Sequence, residues 1–164
     1  MAFRITSQVL GSQPIADTSD TQNHPLGTIV TAVDPTLGGG EFIYLKGVAS
    51  TVVGSIVNYD DAFQTALDTS ATAGPSRPLA IAMSANVASQ YGWYQISGLA
   101  VATKANTVSF ADGAGVGAAS GLAVAVATGT VIQGAIVRTV ASAKSDVVTV
   151  ALAINRPHDP SDVS

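Results

Sequence analysis

The residues that could do chemistry in this chain are few and far apart. Histidine occurs only at His24 and His158, glutamate only at Glu41, and cysteine is absent. A serine hydrolase needs a histidine held between a nucleophile and an acid. Here each histidine adjoins a proline in a polar terminal segment, where solvation is the expected fate. No G-x-S-x-G elbow accompanies them. A glycosidase needs two carboxyls facing across a groove. Asp60 and Asp61 are neighbours and would point to opposite faces of a strand, so a turn or cap suits them better. DTSDT (17–21) and DPSD (159–162) lack the ligand spacing of a calcium loop. Without cysteine there is neither a disulfide nor a thiolate zinc site. The chain is therefore read as a non-enzyme without metal or cofactor.

One stretch imitates a nucleotide site. NTVSFADGAGVGAASG (106–121) contains Gly113-x-Gly115-x-x-Ala118 after a strand-like TVSF. A dinucleotide fingerprint requires a helix after its glycines and an acid about 20 residues on. Gly117 and Gly121 weaken any helix, LAVAVA alternates like a strand, and position 133 is glutamine. The expected structure is a glycine-rich hairpin or loop.

The elements that would position any such residues are short. The 164 residues are 47% hydrophobic but only 11% charged and 5% aromatic, with a formal charge of −4. The apolar content is chiefly alanine and valine. So little charge predicts weakly polar surface that meets another protein, hence an oligomer or a subunit of something larger. Lys and Arg occur singly, which argues against nucleic acid, whose phosphates need clustered cations. No run approaches the ~18 apolar residues of a membrane span, and the start lacks a signal-peptide core, so a membrane partner is not expected.

Residues 1–27 read as an extended N-terminal arm, polar and broken by Pro14 and Pro25, with FRIT as a short strand. From Thr28, apolar runs recur between Gly, Pro, Asn and Asp, the pattern of an all-β chain. The expected strands are TIVTAV (28–33), EFIYLKGV (41–48), TVVGSIVNY (51–59), PLAIAMSA (78–85), LAVAVAT (122–128), TVIQGAIVRTV (130–140) and DVVTVALAI (146–154). DDAFQTAL (60–67) fits a short helix or, nearly as well, an irregular strand. Several strands alternate large and small residues, as in Leu79, Ile81 and Met83 against Ala80, Ala82 and Ser84. Side chains alternate along a strand, so the large face should fill a core. The alanine face should need a close-fitting second layer or a partner subunit. The resulting expectation is a compact β-sandwich or barrel-like domain over 28–157, with a loose tail at 158–164.

QYGWYQISGLAVATKA (90–105) holds the only tryptophan. Tyr94 and Ile96 share one parity, Leu99 and Val101 the other. A β-bulge at Gly98 would bring these four to one side. Trp93 then faces outward or a second layer. Its indole N–H needs an acceptor, which suits either a core plug or a half-exposed contact.

GGGEFIYLKGVAST (38–51), GSIVNYDD (54–61) and AMSANVASQYGWYQISGLAVATKA (82–105) together resemble the small structural proteins of tailed-phage head modules, over roughly residues 25–157. The resemblance implies a capsid decoration, or cement, protein: small, β-rich, commonly trimeric, placed on the outer capsid surface and bridging major capsid subunits, often through an arm. It implies manufacture in a bacterial cytoplasm and residence in the virion. The expected partners are the major capsid protein and further copies of the chain. The contact residues expected are Phe3, Arg4 and Ile5 in the arm and Tyr44, Lys46, Trp93 and Tyr94 on strands. The alternatives are another phage subunit, such as a head fibre, spike base or tail tube, or a carbohydrate-binding β-domain.

Overall fold

The computed structural model describes residues 4–5, 11–69, 76–126, 131–139 and 149–159. All regular structure there is β, in twelve strands: β1 Arg4–Ile5, β2 Thr18–Ser19, β3 Ile29–Asp34, β4 Gly38–Lys46, β5 Ile56–Tyr59, β6 Thr65–Leu67, β7 Leu79–Ala82, β8 Tyr91–Thr103, β9 Gly117–Ala119, β10 Leu122–Val124, β11 Gln133–Val137 and β12 Thr149–His158. Ten form one large sheet with the path β1-β3-β4-β8-β7-β5-β6, to which β12, β11 and β2 attach, while β9 and β10 form a separate hairpin. All strand pairings are antiparallel. The hairpin and the large sheet bury a common cluster that includes Ala118, Ala123, Ala100 and Leu152, a β-sandwich-like arrangement.

β8 is the organising strand and pairs with β2, β4, β7 and β12. Its partners shift register once. Glu41 faces Ser97 and Phe42 faces Gln95, so Ile96 is the extra residue. Gly98 follows in the left-handed region at φ 102°, and a Cβ there would collide with the Gly39 carbonyl oxygen. An irregularity resolves the parity conflict as the sequence suggested, but its extra residue is Ile96 rather than Gly98. Gln95 pairs with Ile81, whose side chain lies in the same cluster as Ala100 and Ala102. Trp93 shares that face. Tyr94 and Ile96 lie on the opposite face, as do Leu99 and Val101, which flank Ala100.

Two open alternatives are decided and one expectation is corrected. DDAFQTAL takes the irregular strand rather than the helix. Asp60 Oδ1 accepts from Ala62 N (3.0 Å) and Gln64 N (2.9 Å), Phe63 takes φ 58°, and the chain leaves the turn as β6. Phe63 and Leu67 pack against the cluster containing Leu45 and Tyr94, contacts a one-turn helix would forfeit. The alanine faces need no second molecule where described. Ala80 and Ala82 are buried in one cluster and Ala100, Ala102, Ala118, Ala123 and Ala135 in another, all within the chain. In β10 the alternation is inverted, with Ala123 inward and Leu122 and Val124 half-buried. Small residues face inward because the hairpin lies close on the large sheet. The correction concerns the tail, since β12 runs to His158 and its neighbour Asp159 donates its N–H to Arg77 O at 3.0 Å. Residues 160–164 lie outside the described residues. Along β12, Val150, Leu152 and Ile154 share the buried face as expected, and Val148 lies outside the described residues.

The glycine-rich stretch is a hairpin. Ser120 (φ 50°) and Gly121 (φ 77°) form a two-residue turn between β9 and β10, the left-handed pair a tight hairpin favours. No helix follows the glycines.

Candidate functional site

The side chains singled out from sequence fall into three groups. Tyr44, Trp93 and Tyr94 are fully enclosed, each with 0% exposure. They build the interior and offer no contact surface. Arg4 is exposed at the sheet edge, where β1 pairs with β3 in the register Arg4↔Val33. Lys46 is half-buried, and its carbonyl accepts from Thr65 Oγ1 at 3.0 Å and Gln64 Nε2 at 3.2 Å. Phe3 lies outside the described residues, as does the side chain of Ile5.

Trp93 is covered by residues 13–24, from the segment read as an arm. Where described, that segment is part of the domain. Ile15 is 3% exposed and packs with Val30, Phe42, Tyr44, Met83 and Trp93. The indole N–H donates to Gln13 O at 2.8 Å. Gln13 uses every polar group it has. Its N–H donates to His24 Nε2 (3.1 Å), and its amide nitrogen donates to Asp17 O (2.7 Å) and Tyr91 O (3.3 Å). Its amide oxygen accepts from Asn23 Nδ2 (3.0 Å) and Tyr44 Oη (3.1 Å). Buried polar groups are cheap only when so satisfied.

His24 is therefore not a solvated histidine. It is buried, edge-on to Tyr44 with centroids 5.0 Å apart and 5.4 Å from Trp93. Its Nε2 accepts a hydrogen bond, which fixes the proton on Nδ1. No acid or nucleophile completes a relay, and no three His, Asp or Glu groups gather for a metal among the described residues. Burial raises the pKa of the Tyr44 hydroxyl, with the Asn23 N–H opposing and Tyr91 adding to the rise. Tyr94 is pushed up to about 12 by burial, against hydrogen bonds to Thr65 and Asn86. Both phenols are structural and neutral.

Among the described residues, Val52, Val53, Val87 and Ile136 are exposed, and two more exposed apolar side chains stand together on the other face of the sheet. Along β3, Val30 and Ala32 point inward, and Ile29 and Val33, each 43% exposed, flank exposed Thr31. Across from them stand Ile43, Glu41 and Gly39 of β4. The half of this face nearer β5 and β6 is covered, and the β3 half is open. A shallow groove of about 280 Å³ runs there, lined by Thr31, Val33, Gly39, Glu41 and Ser97. Sequence reasoning missed this stripe. TIVTAV is apolar at both parities, so nothing in it said that Ala32, rather than the larger Ile29 and Val33, would turn inward.

Among the described residues, these features define an all-β, sandwich-like domain with a closed aromatic interior and a sheet face that leaves Ile29 and Val33 exposed. Compared with known proteins, the chain matches no protein-family model, no curated protein and no solved structure.

Proposed function

We propose that this chain is a structural virion protein that binds the outer surface of a phage capsid as a homotrimer and cements neighbouring major capsid subunits. The supporting observation is the open face of β3 and β4. Ile29 and Val33 present β-branched side chains to solvent beside the bare backbone of Gly39. Gly38 needs its left-handed φ of 79°, and a Cβ on Gly40 would approach Ser97 O to 2.8 Å. Gly39 has neither reason, because its φ is ordinary and the space around it is empty. A glycine that the fold does not need leaves backbone accessible to another chain. Exposed apolar patches of this kind mark interaction sites.

Cementing needs contact area rather than a catalytic group. About 25 cal/mol per Å² of apolar burial, repeated over symmetric copies, adds up to substantial bracing. The net charge of −4 and the scattered cations suit a surface facing away from packaged DNA. The test is sedimentation of purified protein with heads that lack it, alongside light scattering after size exclusion. Co-sedimentation of a trimer is expected, with Val33→Glu and Ile29→Glu folded but unbound. A folded monomer that leaves heads untouched overturns the reading.

A further inference from the structure

Beside the open face, where Arg156 reaches Glu41, the end of β12 meets the start of β7. In a chain with 7 Lys and Arg spread singly against 11 acids, two arginines and a histidine here line one cleft of about 380 Å³. Arg77 comes from the approach to β7, and Arg156 and His158 from the end of β12. Pro78 pairs with His158 in a backbone bridge. Asp159 N donates to Arg77 O (3.0 Å), and Ser76 Oγ donates to Asp159 O (2.9 Å). Two segments remote in sequence are thus fixed side by side. Buried Leu79 and Ile96 form an apolar floor, and Tyr59 stands on one wall.

The backbone is irregular where it carries Arg156. β11 and β12 change register between Gln133↔His158 and Ala135↔Ile154, and within that irregularity Arg156 adopts φ 45°. A non-glycine residue held left-handed in a strand is uncommon and persists only where the surrounding structure fixes it. Arg156 already holds one carboxylate, with Nη2 3.1 Å from Glu41 Oε2 and its side chain 59% exposed. A guanidinium carries five N–H donors in a planar fork, so Glu41 leaves most of them available.

We propose that this cleft is a binding site for a carboxylate group, carried either by an acidic protein side chain or by a sugar acid. Arg77 and Arg156 hold the two oxygens, the Tyr59 hydroxyl donates from the wall, and the body of the ligand lies over Leu79 and Ile96. Tyr59 has its pKa raised by burial, against the opposing Arg156 charge, so it is a neutral donor. The groups facing the site are Arg77, Arg156, His158, Tyr59, Glu41 and the pair Asp68–Asp159. Asp159 shares a hydrogen bond with Asp68, and burial together with that neighbour raises its pKa to about 6. Below that pH it is neutral and adds no charge against the ligand. Above it, a new negative charge opposes the ligand.

The inference is independent of the virion reading, since it can be tested without heads. Backbone amide spectra of the intact chain would be recorded at about pH 5 during titration with glucuronate, with glucose, with acetyl-Ala-Glu-Ala-amide and with its glutamine counterpart. Saturating shifts at Ser76, Arg77 and Leu79 and at Arg156, His158 and Asp159 are expected with at least one carboxylate and with neither neutral analogue. Response to the peptide alone identifies a protein side chain, and response to glucuronate alone identifies a saccharide. In Arg77→Gln and Arg156→Gln, whose spectra report folding directly, affinity should fall about tenfold, the loss of one charge-assisted pair. It should also weaken in the unaltered chain between about pH 5 and pH 7.5. Absence of cleft shifts with both carboxylates, equal response to the neutral analogues, or unchanged affinity in folded Arg77→Gln and Arg156→Gln overturns the proposal.

Discussion

The two ends of the hairpin-facing side of the large sheet are made of opposite materials. Around Trp93 the interior is aromatic, with Tyr44 5.0 Å and His24 5.4 Å away by ring centroid, and it is closed by a segment with almost no regular structure. Along the same strand, at Ala100 and Ala102, the interior is aliphatic and small, and it is closed by the β9–β10 hairpin. Large rings with polar tips leave N–H and O–H groups that a strand's backbone, already paired in the sheet, cannot satisfy. An irregular segment can, and Gln13 does so. Alanines present no polar tip, so a regular hairpin can lie directly against them. The covering layer follows from what it must cover.

The contrast is broken most forcefully at Trp93. Trp93→Ala removes the largest side chain and is expected to cost about 3–5 kcal/mol in urea unfolding followed by circular dichroism. Trp93→Phe keeps most of the packing but orphans Gln13 O, and should cost about 1–3 kcal/mol. If the two substitutions cost the same, the hydrogen bond rather than the ring closes this end.

Gln13→Ala tests the segment itself. It strips Tyr44 Oη and Asn23 Nδ2 of their shared acceptor and leaves the Trp93 contact, which uses only the backbone. A loss of about 2 kcal/mol is expected, together with faster amide exchange across residues 11–27. Exchange that rises uniformly over the whole domain would mean that the segment is no separate cover. At the other end the sensitive direction is enlargement. Ala100→Leu or Ala123→Leu should cost about 1–3 kcal/mol, because the hairpin cannot retreat without losing its contacts. A neutral result would show that the hairpin floats on the sheet.

The sequence made one end of this comparison more legible than the other. Period-two alternation gave the strands of the core, and the parity conflict about Gly98 gave the irregularity in β8, because backbone periodicity is a local property. It could not tell which parity of a large/small strand turns inward. That depends on the thickness of the covering layer, which is set by residues far away. Ala123 and Ala100 face each other's layer across more than twenty positions of sequence. For the same reason Gln13 and His24 passed as polar linker, since their partners Trp93, Tyr44 and Tyr91 lie twenty to eighty residues further on. Tyr44, Trp93 and Tyr94, expected as contacts with the resemblance, have polar tips whose partners lie inside the chain. The cleft at Arg77 and Arg156 had no local signal at all, because its cations come from two scattered positions.

Polar satisfaction is uneven in both regions, with Ser84 Oγ, Asn86 Oδ1 and Gln95 Oε1 left without a hydrogen-bond partner among the described residues near Trp93. Gln13 leaves no atom unused, whereas at the end of β12 Asp159 Oδ1 and Asn58 Oδ1 have no hydrogen-bond partner among the described residues. Asp68, buried beside them, accepts from Asn58 Nδ2 at 3.0 Å and is hydrogen-bonded to Asp159. Two carboxyls in contact cannot both ionise cheaply. Burial and Asp68 raise the Asp159 pKa to about 6, with Arg77 and His158 opposing. The folded chain therefore holds a proton between about pH 4 and pH 6 that the unfolded chain releases, so stability falls as pH rises through that window and then levels off. Asp159 is only half-buried, and solvent screening reduces the effect to about 1 kcal/mol. Asp159→Asn should flatten the urea midpoint over this range while leaving the Trp93 end unchanged. A midpoint in Asp159→Asn that still declines between about pH 4 and pH 6 would move the titration to another carboxyl.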